Sequence, residues 1–128
     1  MSAKITRIIH LTAALAFAAS VIPAAAIAGD AAAGKVTFDT NCMTCHGMTG
    51  AGDGPLAVAL DPKPRDLSTG SFKFDTDSDG ATGTDTDLRN VITQGAMAFG
   101  GSALMAPWPS LADADVANLI AYIRTLKK

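Results

Sequence analysis

The chain has 128 residues, ten Lys+Arg against twelve Asp+Glu, two cysteines and two histidines. That length allows one compact domain, two cysteines cannot build a disulfide scaffold, and a pI near 5.4 argues against a nucleic-acid binder. The 48% hydrophobic share is rich for a soluble domain, but twenty such residues lie within the first 28.

Those 28 residues have the three parts of a secretory signal. Lys4 and Arg7 make a positive start, Ile8 to Ile22 is mostly apolar, and Ala26-Ile27-Ala28 supplies small residues for a signal peptidase. Cleavage after Ala28 is expected, leaving a mature domain over 29–128. The alternative, an uncleaved anchor, fits less well. Its apolar run is interrupted by His10, Thr12, Ser20 and Pro23, whereas spanning needs roughly 20 apolar residues. The mature chain then carries eight basic and twelve acidic residues, a net −4, with every acid an aspartate and His46 its single histidine.

A first helix is expected over 30–41, with Asp30 as N-cap and Gly34 and Phe38 on one face. Glycines at 47, 50, 52 and 54 mean a loop, Leu56 to Leu60 suits one helical turn, and Asp61-Pro62-Lys63-Pro64 stops it. Asp75 to Asp87, with five aspartates and no large apolar residue, reads as a solvated loop. A helix from Thr86 to Gln94 follows, burying Leu88, Val91 and Ile92 and ending at Gly95. After an irregular stretch, Asp113 to Leu126 is the clearest helix. Val116, Leu119, Ile120 and Ile123 keep helical spacing, and its acids lead while Lys127-Lys128 trail. No run alternates as a strand. The class is all-α.

The strongest chemical signal is Asn41-Cys42-Met43-Thr44-Cys45-His46-Gly47. Two thiols three residues apart on a helical turn can each add to one vinyl group of a haem, with the next histidine reaching the iron. Cys42 and Cys45 are thus candidate thioether attachment points and His46 the candidate proximal ligand. Three other readings compete. A redox dithiol needs a sheet that is missing here, zinc wants four ligands where the mature chain offers two Cys and one His, and a disulfide across so short a loop gains little.

With these residues the chain resembles the class I cytochromes c, specifically the small single-haem bacterial ones, over essentially the whole mature chain. Gly34 and Phe38 match the family's opening helix, and Leu119 and Tyr122 match the closing helix that crosses it. Gly52-Asp53-Gly54-Pro55 and Pro62-Lys63-Pro64-Arg65-Asp66-Leu67 look like a linker of many members. The resemblance implies three main helices and short turns wrapped around one covalently attached haem.

The distal ligand cannot be a second histidine, which leaves methionine, lysine or an open position. Met97 and Met105, 51 and 59 residues beyond His46, can reach the far face. The family commonly places its ligand methionine near a proline shortly before the last helix, which favours Met105 in Met105-Ala106-Pro107-Trp108. The departure is Ala106, where Met-Pro is frequent. The resemblance also implies that the Pro55 carbonyl accepts the His46 Nδ1–H. Arg65 or Lys63 is a candidate partner for a haem propionate, and Trp108 is a candidate wall of the haem pocket.

One motif falls outside this scheme. Asp75-Thr76-Asp77-Ser78-Asp79-Gly80 has the first half of a calcium loop, but Thr86 stands where the bidentate acid belongs. An aspartate-rich solubilising loop is expected, with calcium the alternative through Asp85 or Asp87. The function expected is a periplasmic, monomeric one-electron carrier, not an enzyme. Its redox partners are steered by charge, through basic patches given the net −4. The alternatives are a haem subunit of a periplasmic dehydrogenase or reductase, or a five-coordinate sensor or peroxidase.

Overall fold

The computed structural model describes residues 28–128, so the expected leader, up to the residue before its cleavage site at Ala28, lies outside them. Among the described residues four helices occur: α1 (Ala31–Asn41), α2 (Met43–His46), α3 (Asp85–Gln94) and α4 (Asp113–Thr125), with single 3-10 turns at Ala57–Ala59 and Ala96–Phe99. No strand occurs among the described residues. None of the helices is long and apolar enough to cross a membrane.

The crossing of α1 and α4 organises the molecule. Asp30 caps α1 by accepting from the Ala32 and Ala33 amides, and its own amide donates to Asn118 Oδ1 of α4 at 2.7 Å. Capping of this kind satisfies amides that have no partner within the helix. Gly34 meets α4 backbone to backbone: a Cβ there would fall within bonding range of the Asn118 carbonyl. Only a residue without a side chain permits that approach. One turn on, Phe38 is fully buried and lies 5.2 Å from the Tyr122 ring, tilted by 60°, a geometry that favours aromatic pairs. Val116, Leu119, Ile120 and Ile123 supply the α4 side of the core, which Leu67, Leu88 and Ile92 complete.

α3 is tied to α4 through its surface. Arg124 donates to Asp85 at 2.7 Å and to the Gly83 carbonyl, and Arg89 donates to Asp113 at 3.0 Å. Pairs so exposed add little stability, yet they register the helix against its neighbour. α3 starts one residue earlier than its apolar pattern suggests, because Thr84 and Asp87 form a reciprocal capping box. Its inner face is Leu88 and Ile92, with Val91 half-buried. α4 ends at Thr125 with Arg124 in its last turn, so Lys127 and Lys128 lie beyond the helix.

The segment 75–87 differs from expectation at its end. Asp87, read from sequence as part of a solvated loop, is 1% exposed. Its Oδ1 accepts from the Thr76 amide and hydroxyl at 2.5 and 2.8 Å, and its Oδ2 from the Thr84 amide and hydroxyl at 2.8 and 2.9 Å. Burial of an ionised carboxylate is tolerated because every strong acceptor direction is filled.

Candidate haem site

Between α1, α3, α4 and the loops lies a cavity of about 430 Å³ with mainly apolar walls, including Phe38, Leu67, Leu88, Ile92 and Trp108. One wall is the segment Cys42–His46. α1 stops at Asn41, and Cys42, with φ −117°, turns the chain into the four-residue α2. Backbone bonds pin that short helix from both sides: Cys42 N–H to Phe38 O at 2.8 Å, His46 N–H to Cys42 O at 2.9 Å, and Gly52 N–H to His46 O at 2.8 Å.

Cys42, Cys45 and His46 all line the cavity, and both thiols are free. Burial, with a smaller contribution from Cys45, pushes the Cys42 thiol up to about 11. A reactive redox dithiol requires the opposite shift, so that reading loses its support. Burial holds the His46 imidazole below its ordinary value, against the opposing pull of the Arg65 carbonyl. The ring is neutral at pH 7, donating Nδ1–H to Arg65 O at 3.0 Å. That bond leaves the Nε2 lone pair available to a metal.

The carbonyl partner of His46 is therefore that of Arg65, not Pro55. Gly54 packs on the α2 backbone, its N–H donating to Cys45 O at 3.1 Å, and Pro55 leads away from it to an exposed position. Leu67 N–H meanwhile reaches Gly50 O at 2.7 Å, drawing the Pro64-Arg65 backbone across the imidazole. The Arg65 guanidinium is engaged as well, donating from Nε to Ser71 O at 3.0 Å and from a second nitrogen to the same carbonyl. Three of its five N–H groups remain.

Another wall is formed by 95–111. Met105 lines the cavity, together with Trp108, whereas Met97 does not line it and is 68% exposed. Met105 is held through its backbone: its carbonyl accepts from Ala96 N–H at 3.1 Å, and Trp108 N–H donates to Ile92 O at 2.9 Å. Sequence reasoning passed over Phe72 and Phe74, which also line the cavity. They sit at alternate positions in the strand-free stretch before the aspartates, a spacing that could have marked one buried face. The exposed ionic side chains on the lining are Lys63, Arg65 and Lys73. Three cations thus rim the cavity of a domain whose expected net charge is −4.

In the aspartate loop, oxygens of Asp75, Asp77 and Asp87 come within 4.8 Å of one another. Asp85, the other candidate for the missing acid, turns instead to Arg124. The Asp75 carboxylate accepts from the Asp79 and Gly80 amides, and Asp87 is filled by Thr76 and Thr84. The loop's own donors thus reach the carboxylates of Asp75 and Asp87.

What fits an apolar cavity with two thiols and an accepting imidazole on one side is a porphyrin bonded to the chain, and the fold is that of a c-type haem protein. The comparisons with known proteins reach the same class. A family model for cytochrome c matches residues 31–127, and the chain belongs to the cytochrome c family, as a small class I member. Cytochrome c-554(547) of Halothiobacillus neapolitanus is 40% identical over 103 residues, covering 78% of this chain and 100% of that protein. Cytochrome c-555 of Chlorobaculum tepidum is 36% identical over 121 residues, 88% of this chain and 92% of the other. Among solved structures, a chain of the Kuenenia stuttgartiensis reducing HAO-like protein complex Kustc0457/Kustc0458 superposes with a TM-score of 0.64 at 32% identity. That match covers 74% of this chain and 41% of the other, so this chain spans less than half of its length. Family membership implies covalently bound haem c and an electron-carrying role.

Proposed function

We propose that the protein is an exported, single-haem electron carrier with His46 and Met105 as axial ligands, working in the periplasm as a monomer and not as an enzyme. Cys42 and Cys45 would hold the haem through thioether bonds, with the remaining N–H groups of Arg65 and the Lys63 ammonium facing its carboxylates. When bound, the haem supplies one-electron chemistry. The chain's part is to keep the His46 ring oriented through the Arg65 carbonyl, to offer the Met105 sulfur, and to exclude water with Trp108 and the apolar wall.

The observation that carries this reading is that Met105 shares the cavity with His46 while Met97 faces away from it. A site with both axial positions filled by side chains has no vacancy for substrate, which is why electron transfer is favoured over catalysis. Absorption spectra of the periplasmic protein, oxidised and reduced, paired with intact mass, test it. The expected result is a mass of one haem above the polypeptide from residue 29 and a far-red band of iron–methionine sulfur bonding. A haem protein without that band would point to the five-coordinate sensor or peroxidase. Partner association should slow as salt rises, and a rate indifferent to salt would remove the steering claim.

A second reading is a haem subunit of a larger complex. The structural likeness to part of a chain from a complex favours it, and co-purification of a stable partner in native sedimentation would establish it over the free carrier.

A further inference from the structure

Among the described residues, Asp87 is the one buried charged or polar side chain, and it lines the haem cavity. Electron transfer as proposed gives it no role. Helix capping accounts for its two bonds to Thr84 but not for the two it takes from Thr76, eleven residues back. The four donors hold its carboxyl down to about 2, so it stays ionised throughout the neutral range. Thr76 is itself fixed by Asn90 of α3, whose side-chain amide donates to its hydroxyl at 2.8 Å. The charge is therefore set in place from three segments.

Oxidation of a haem protein leaves one more positive charge in the cavity. A fixed anion within the wall favours that form, and the effect is strong where water cannot screen it. Asp75 and Asp77, near neighbours of Asp87, are half-buried and exposed respectively, so solvent damps their influence. We infer that Asp87 is a built-in negative charge in the cavity wall that lowers the reduction potential of the bound haem, and thereby sets which partners can reduce this carrier.

This rests on a haem occupying the cavity, and the test separates the two. Intact mass and absorbance of each holoprotein report haem attachment and ligation, while mediated spectroelectrochemical titration reports the potential. Asp87→Asn should keep haem mass and the iron–sulfur band while raising the midpoint potential. Asp87→Glu, which retains the charge, should stay closer to the parent, and Asp77→Asn should shift the potential less than Asp87→Asn. Thr76→Val removes one hydroxyl dipole that offsets the charge, so it should move the potential the other way, downward. That variant keeps the question open to test if Asp87→Asn does not fold. The inference is overturned if Asp87→Asn holds haem normally at an unchanged potential, or if Asp87→Glu and Asp77→Asn shift it equally. With Thr76→Val alone, an unchanged or raised potential overturns it. Absence of haem from the parent protein would instead sink the reading of the cavity itself.

Discussion

The two walls of the cavity are built in different ways. The His46 wall is five consecutive residues wound into one helical turn and held by backbone bonds to α1 and to the glycine loop. The Met105 wall is an irregular segment, 95–111, folded on itself by Ala96 N–H to Met105 O at 3.1 Å and anchored to α3 by Trp108 N–H to Ile92 O at 2.9 Å. The first is a local motif in which adjacent residues define the geometry. The second acquires its position only because α3 and the Ala96–Phe99 turn carry it there. The proposed role of each wall fits this contrast: covalent attachment needs permanence, whereas the axial thioether proposed for Met105 is a weak bond that a loop can present.

The largest expected effect breaks the first wall. Cys42→Ala together with Cys45→Ala should abolish covalent attachment, and acidified organic solvent should then strip all haem from the polypeptide. Retention of haem in that extraction would contradict the thioether assignment. Next, Met105→Ala should eliminate the iron–sulfur band and lower the potential, while Met97→Ala leaves both unchanged; the reverse pattern would transfer the ligand to Met97. Gly34→Val tests the support behind the His46 wall. Overpacking against the Asn118 carbonyl should cost about 2–3 kcal/mol, read as a lower urea midpoint with an unaltered slope.

The smallest effect concerns acid stability and belongs to α3, which carries the second wall. The Asp87 carboxyl titrates at about 2 in the folded protein and near 3.9 when unfolded. A lowered folded value means that its stabilisation is complete above about pH 4 and disappears as the pH falls toward 2. Urea midpoints measured from pH 5 down to pH 2 should decline less steeply in Asp87→Asn than in the parent. Parallel slopes would show that Asp87 does not contribute to the acid transition.

Much of the helical frame was legible in the chain. Asp30, Gly34 and Phe38 announced α1, and the apolar spacing from Val116 to Ile123 announced α4, because these features depend on neighbours three and four residues apart; their crossing was implied by the family resemblance. The grouping of Cys42, Cys45 and His46 on one cavity wall was legible from the same close spacing. Pro55 and Arg65 show where such reading fails. The family resemblance selected the Pro55 carbonyl, near in sequence, while the tertiary path of 64–67, drawn in by Gly50, brought a carbonyl nineteen residues away. Asp87 shows a second failure: an aspartate among aspartates and threonines looks solvated, and nothing local distinguishes the one whose donors allow it to be buried.

The sequence by itself determined the helices, the attachment motif and the small set of sulfur atoms eligible for the far side of the iron. Those properties are carried by short-range spacing and by residue chemistry. Only the tertiary structure decided which methionine faces the cavity, which carbonyl orients the imidazole and which acid becomes a buried charge. Each of these depends on where loops distant in sequence are brought together, and the packing of the whole chain sets that.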